Sequence, residues 1–161
     1  MPSARIFQIN VSPGGVPKLA VREAEVTTDG LTGDAQADLE HHGGPDRALC
    51  LYSLERILAL QAEGHPVFPG AAGENLTLSG LDWDDVVPGC RLRLGGEVVI
   101  EVVSYTAPCA TIKAFFKETK ANRISQEHHP GWSRVYARVL EPGRIVVGDA
   151  ASIDNVKSKS R

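Results

Sequence analysis

The sequence has few cysteines and no long hydrophobic runs. Its three cysteines, Cys50, Cys90 and Cys109, are far apart and never in CxxC spacing, so neither a disulfide-rich scaffold nor a zinc ribbon is expected. No apolar run approaches the about 20 residues that span a bilayer, and residues 1–12 lack the apolar core of a secretion signal. We therefore expect a cytoplasmic protein that makes no membrane contact and has at least one free thiol.

The sequence also lacks an excess of positive charge. Lysine and arginine total 17 against 20 acidic residues, which gives a formal net charge of −3. This balance argues against general nucleic-acid binding, so any basic site must be local. With 161 residues and 42% hydrophobic content, the chain is long enough for one core and too short for two ordinary domains. We expect a single domain over residues 1–154 and a disordered tail over residues 155–161.

Glycine and proline, by contrast, are abundant. Sixteen glycines and ten prolines separate many short β-prone runs, a pattern typical of a β-sandwich or β-barrel. The predicted strands are Ala4–Val11, Ala20–Thr27, Ala48–Tyr52, Asn75–Leu78, Arg91–Leu94, Val98–Tyr105, Val135–Leu140 and Arg144–Val147. Gly95-Gly96 separates two of them and predicts a hairpin there.

Two segments have helical spacing of apolar residues. The first is Leu54–Glu63, where Ser53 can cap the start and Gly64 can end the helix. The second runs from about Cys109 to Thr119 and is entered after Pro108. We therefore predict a mostly β protein with a few helices.

Cys109 is the sharpest local signal of chemistry. It follows the apolar strand Val98–Tyr105 and opens the second predicted helix, where unpaired N–H groups and the helix dipole stabilise a thiolate. The alternative is a buried structural cysteine, since free cysteine is among the most buried residue types. Cys50 and Cys90 fit that alternative better, because neither has an evident activating neighbour.

A glycine-rich polar stretch precedes the predicted strand Ala48–Tyr52. His41 and His42 are adjacent on an extended segment and point in opposite directions, so they do not readily chelate one metal. Gly43 and Gly44 instead allow backbone amides to approach an anion, and Arg47 adds a planar fork suited to phosphate or carboxylate. The alternative is a tight turn in which Asp46 and Arg47 only pair with each other.

Two other places set a carboxylate beside a glycine near a strand. They are Gly33-Asp34 and Gly73-Glu74-Asn75, where a carboxylate can accept hydrogen bonds from a heterocycle or simply cap a loop. The segment His128-His129-Pro130-Gly131-Trp132 is either a second polar loop over a site or an exposed turn packed by Trp132.

These motifs together resemble one known family. The resemblance rests on Gly33-Asp34, His42-Gly43-Gly44-Pro45-Asp46-Arg47-Ala48-Leu49, Gly73-Glu74-Asn75-Leu76, Pro108-Cys109, Arg138-Val139-Leu140-Glu141-Pro142-Gly143 and Gly148-Asp149. In this order and spacing the sequence is similar to the MOSC family, named for the C-terminal domain of molybdenum cofactor sulfurase, and to its small standalone bacterial members. The resemblance implies a closed or nearly closed β-barrel with a few helices.

The resemblance also implies a site. Cys109 corresponds to the cysteine whose sulfur binds molybdenum in relatives that hold the molybdenum cofactor (molybdopterin), and a soft thiolate suits such a centre. Residues that by position would contact the pterin and its phosphate are Asp34, His42, Arg47, Glu74 and Asn75, with Lys113 and Arg134 as further cationic partners.

The function that we expect from this resemblance is an oxidoreductase. It would reduce small N-hydroxylated compounds, of the hydroxylaminopurine or amidoxime class, by oxygen transfer to the metal, with His42 as general acid. The chain has no GxGxxG after a strand, so a separate electron-donor reductase would be required.

Two other functions are compatible with the same residues. Cys109 could carry a persulfide as a sulfur carrier without a metal. The domain could also be a non-catalytic module for a pterin or a phosphorylated heterocycle such as pyridoxal phosphate. A Schiff base would need a desolvated lysine, and Lys18, Lys113, Lys117 and Lys120 are most simply surface residues.

Overall fold

The computed structural model describes residues 3–35 and 44–154. The described chain is mostly β, and its strands are β1 (Arg5–Val11), β2 (Leu19–Val21), β3 (Glu23–Thr27), β4 (Gly30–Leu31), β5 (Leu49–Ser53), β6 (Leu76–Ser79), β7 (Arg91–Leu94), β8 (Val98–Thr106), β9 (Arg134–Glu141), β10 (Gly143–Val146) and β11 (Ala151–Asp154). The predicted tail, residues 155–161, lies outside the described residues.

One α-helix, α1 (Leu54–Ala62), occurs in the described part of the chain. Ser53 caps it, because its Oγ accepts a hydrogen bond from the Arg56 amide at 3.1 Å. Ile57 and Leu60 point from α1 into the core and are fully buried. The first predicted helix is therefore confirmed, and none of the described helices is long and apolar enough to cross a membrane.

The strands form two sheets. The larger has eight strands in the order β11-β7-β8-β9-β5-β6-β1-β2, and the smaller has three in the order β10-β3-β4. β5 and β6 are parallel, with α1 in the connection between them, and the other pairs are antiparallel. The predicted hairpin is confirmed as β7–β8, in which buried Leu92 and Leu94 alternate with exposed Arg93.

The larger sheet is not closed into a barrel. An isolated bridge joins Arg5 to Ala150, and the Ile6 amide donates to the Asp149 carbonyl at 2.9 Å. Further along β1, residues 9–11 pair with β2, so only the first residues of β1 have an edge free to reach the chain beside β11. The expectation of a mostly β protein with a few helices is thus confirmed, whereas the expected closed or nearly closed barrel is corrected: no sheet of the described residues closes into one.

Two sequence predictions of secondary structure are wrong. The strand predicted over Ala20–Thr27 is interrupted at Arg22, and its halves, β2 and β3, belong to different sheets. The helix predicted over Cys109–Thr119 is a pair of 3₁₀ segments, Ala110–Phe115 and Lys117–Thr119, separated at Phe116 by extended backbone. Ile112 and Phe116 are both buried, so apolar side chains of this segment join the core without a continuous helix. The structure also adds β4 and β11, which the sequence pattern did not predict.

Candidate active site

A cleft of about 370 Å³ opens over the central strands of the larger sheet. Its floor comes from three neighbouring strands: Cys50 on β5, Thr106 at the end of β8, and Arg134 and Tyr136 on β9. Arg134 and Tyr136 are two residues apart and therefore point to the same face of β9. The register places Tyr136 opposite Cys50, so these side chains meet in one recess.

Cys109 lies on the wall of this cleft, three residues after β8 ends. Its thiol is half-buried, and Sγ is 2.8 Å from the Thr111 hydroxyl. Cys109 is the residue that precedes the six-residue 3₁₀ segment Ala110–Phe115. The expected α-helix terminus is absent at this position, so the thiol is placed by a tight turn instead.

Arg134 brings a buried positive charge to the cleft. It is 4% exposed, and its guanidinium donates to the Ala72 carbonyl at 2.7 Å and the Ala107 carbonyl at 3.1 Å. Its Nε is buried without a hydrogen-bond partner, and Arg134 forms no ion pair with any carboxylate in the described residues. Apart from these carbonyl dipoles, Arg134 interacts electrostatically with the buried Glu74 carboxyl group, and a buried cation without an ion pair favours an anion beside it.

Arg47 lies at the mouth of the same cleft. It ends the exposed 3₁₀ turn Pro45–Arg47, and its guanidinium stacks over the Tyr136 ring at 5.4 Å from the ring centre. The alternative of a pair between Asp46 and Arg47 is not observed, because Asp46 instead lies 3.7 Å from Arg138. Arg47 and Arg134 thus supply two cationic groups to one recess.

Asp34 and Asn75 take part in a buried network behind this recess. Both Asp34 carboxylate oxygens accept from the Lys18 ammonium, at 2.8 and 2.7 Å, and one also accepts from the Asn75 amide at 2.9 Å. The Asn75 side-chain oxygen accepts from the Cys50 amide at 2.9 Å. Lys18 and Asn75 still contribute to the cleft lining. The carboxylate of Asp34, by contrast, is already occupied by the protein's own donors.

Glu74 does not line the cleft; it is fully buried beneath it. One carboxylate oxygen accepts from the Gly70 amide and the Thr77 hydroxyl, both at 2.9 Å, while the other has no partner. Burial raises the pKa of this carboxyl group. Gly70 must be glycine here, because a Cβ would collide with the Lys18 carbonyl oxygen. Because the Glu74 carboxyl group accepts from the Gly70 amide, it fixes the loop that carries Ala72.

The remaining predicted site residues lie elsewhere. Lys113 lines a second recess, the outer groove, together with Lys120, Asn122, Ser125, Glu127 and His128. His42, predicted as general acid and cofactor contact, and His41 lie outside the described residues. In the His128–Trp132 loop, Trp132 is stacked between the guanidinium groups of Arg56 and Arg123, at 4.8 and 4.1 Å. This packing supports the interpretation of that loop as a turn held by Trp132.

Sequence reasoning missed three residues of the cleft. Lys18 was interpreted as a surface lysine but is only 8% exposed, and Cys50 was interpreted as purely structural but contributes to the cleft floor. Tyr136 was not singled out at all. Burial raises the pKa of its phenol from 10 to about 12. The period-two spacing of Tyr136 from Arg134 is the sequence signal that could have identified it.

Comparison with known proteins gives a consistent assignment. The sequence model of the MOSC domain matches residues 38–152. The chain is 37% identical over 122 residues to the protein YflK of Bacillus subtilis, a match that covers 74% of this chain and 53% of YflK. It is 33% identical over 129 residues to a protein of Gibberella moniliformis named a reductase, covering 77% of this chain and 22% of that protein. The chain thus spans about half the length of YflK, and less of the reductase.

A solved structure shares the fold. The crystal structure of YiiM from Geobacillus stearothermophilus superposes with a TM-score of 0.71 at 26% identity, covering 94% of this chain and 75% of that one. The likeness therefore extends over nearly the whole chain, including the β-rich scaffold that positions the cleft.

Proposed function

The chain belongs to the MOSC domain family, and from this premise we propose that it binds the molybdenum cofactor in the cleft and reduces N-hydroxylated compounds. The observation that carries the proposal is the cleft itself, which joins the half-buried Cys109 thiol to a buried guanidinium whose Nε has no hydrogen-bond partner. The likeness to a protein named a reductase supports redox chemistry.

The residues present fit such a cofactor. The Cys109 sulfur is a soft ligand of the kind that a molybdenum centre takes from a protein. Arg134, with its unpartnered Nε, fits a buried anionic group such as the phosphate of the pterin. Arg47 adds a second cation at the mouth. These three residues would hold the two ends of one elongated anionic ligand.

The proposed reaction needs an external reductant that supplies two electrons. An N-hydroxylated amine, R–NH–OH, takes up two electrons and two protons; its N–O bond breaks to give R–NH₂ and water. When bound, the cofactor supplies the two-electron exchange with the substrate. We propose that a separate electron-donor reductase supplies the electrons.

The first test is the metal and pterin content of the purified protein. The wild type, Cys109→Ser and Cys90→Ser are produced in a host that makes the cofactor. Cys90 is the matched control, because it is partly buried but does not line the cleft. We expect close to one molybdenum per chain in the wild type and Cys90→Ser, and a loss of most of it in Cys109→Ser. Equal retention in all three proteins would contradict the proposed ligand.

A second variant tests the anion-binding side. Arg47 is exposed on a short turn, so Arg47→Ala should keep the unfolding transition of the wild type while retaining less cofactor. Arg144→Ala is its control, since Arg144 is an exposed arginine of β10.

If the wild type instead carries no molybdenum and Cys109 shows the mass of one added sulfur, the sulfur-carrier alternative replaces this proposal.

A further inference from the structure

Cys109 stands between two recesses. The cleft lies on one side of it, and on the other lies the outer groove of about 530 Å³, with Ala107, Cys109 and Ala110 common to both walls. This volume is within the range of small-molecule sites. A ligand held in the cleft against Cys109 is therefore within reach of a second molecule that enters from the groove.

The outer groove is polar and has two ammonium groups. Lys113 lies four residues after Cys109, is exposed, and forms no ion pair or side-chain hydrogen bond with another described residue. Lys120 pairs with Glu118 at 3.0 Å on the exposed surface, an arrangement that a stronger anion can displace at little cost. Glu127 is the carboxylate among the residues that line the groove.

Three further side chains of the groove can form hydrogen bonds. Asn122, Ser125 and His128 line the groove, and His128 Nδ1 is 3.1 Å from the Ser125 hydroxyl. Amide, hydroxyl and imidazole groups both donate and accept, so they match the edge of a nitrogen heterocycle. The groove thus combines heterocycle-binding groups with two lysines.

We propose that the outer groove is the substrate subsite and that the N-hydroxylated substrate carries an anionic group, such as the phosphate of a nucleotide, which binds Lys113 and Lys120. The heterocycle then lies along Asn122, Ser125 and His128, with its N-hydroxyl end toward Cys109. This inference rests on the proposed function and adds the substrate class. The cations of the cleft, Arg47 and Arg134, are left for the cofactor.

Binding of stable probes tests the subsite without turnover. Isothermal titration calorimetry compares adenosine 5′-monophosphate with adenosine, which lacks the phosphate, on the cofactor-loaded protein. We expect the monophosphate to bind about tenfold tighter, from two exposed ammonium–phosphate contacts of about threefold each. The difference should shrink at high salt, because exposed charges are screened.

Three variants locate the phosphate. The double variant Lys113→Gln/Lys120→Gln should bind the two probes equally. Lys117→Gln is the matched control: it lies on the same segment and removes the same kind of charge, but its ammonium donates to the Glu63 carbonyl and does not line the groove. It should keep the tenfold preference. Arg144→Ala, an exposed arginine of β10 that lines neither recess, should keep it as well.

Equal binding of both probes by the wild type would overturn the inference. A preference kept in the double variant, or lost in Lys117→Gln or Arg144→Ala, would overturn it as well. Molybdenum is measured on the same samples to separate the two proposals. Metal retained without any preference for the phosphate refutes the subsite alone. A preference that depends on Lys113 and Lys120 in a protein without molybdenum refutes the proposed cofactor, while the groove remains an anion site.

Discussion

Asn75 either contacts the cofactor directly or supports the cleft from behind. The variant Asn75→Ala tests which of these two roles it has. The side chain is 1% exposed. Its oxygen accepts from the Cys50 amide, and its nitrogen donates to Asp34 and, more weakly at 3.4 Å, to the Asn10 carbonyl. These contacts tie β5 and β1 to the loop before β6, so truncation acts on the scaffold before it acts on any ligand.

The size of the effect follows from what alanine leaves behind. The Cys50 N–H loses its buried acceptor, which costs about 1–3 kcal/mol. The Asp34 carboxylate loses one donor but keeps the Lys18 ammonium, so this loss adds on the order of 1 kcal/mol. We expect Asn75→Ala to lower the free energy of unfolding by about 2–4 kcal/mol, a large share of the about 5–15 kcal/mol typical of a domain.

Urea unfolding followed by circular dichroism measures this difference. Asn122→Ala is the control, because Asn122 is exposed and its truncation should change stability by less than about 0.5 kcal/mol. A loss below about 1 kcal/mol for Asn75→Ala would refute the scaffold role. If that small loss came with poor cofactor retention, Asn75 would instead be the direct contact that the family resemblance implied.

Three further changes test other parts of the structure. Burial raises the pKa of Glu74 above 4.5, so the folded protein holds this proton more tightly than the unfolded chain, and the free energy of unfolding falls as the pH rises above 4.5. Glu74→Gln should remove that decline. A difference in unfolding free energy between wild type and variant that does not change with pH would contradict this prediction. Burial lowers the pKa of His65 below 6.5, and its neutral Nδ1 accepts from the Lys117 amide at 3.0 Å. The contribution of His65 to the free energy of unfolding is complete above pH 6.5 and is lost as the pH falls through the lowered pKa. Urea titrations of His65→Gln should lack this loss. Ser53→Ala removes the cap of α1 and should cost about 1 kcal/mol in the same assay, whereas an unchanged midpoint would show that the cap is dispensable.

Local patterns predicted most of the scaffold. Gly95-Gly96, between the predicted strands Arg91–Leu94 and Val98–Tyr105, predicted the hairpin, and Ser53 before Leu54 predicted the start of α1; the structure confirms both. What failed depended on contacts far along the chain. The split at Arg22 reflects pairing of β2 with β1 and of β3 with β10, and no local pattern encodes that exchange of partners.

The candidate site was predictable to a different degree for each residue. Cys109, Arg47 and Arg134 line one cleft, and their contact with a cofactor stays a prediction. Lys18 was missed because its burial depends on an ion pair with Asp34, sixteen positions away, which turns an apparent surface lysine into an interior one. Lys113 was assigned to the cofactor, yet the 3₁₀ geometry after Cys109 directs it to the outer groove instead.

The residues of the family motifs therefore divide into two groups by what they contact. Glu74 anchors the loop whose Ala72 carbonyl accepts from Arg134, so a change at Glu74 reaches the cleft through the backbone. Arg47, in contrast, sits on an exposed turn and touches the Tyr136 ring. Substitutions beneath the cleft should lower stability and cofactor retention together, since one network supports both. Arg47→Ala should lower retention alone, because a charge at the mouth contributes little to the fold.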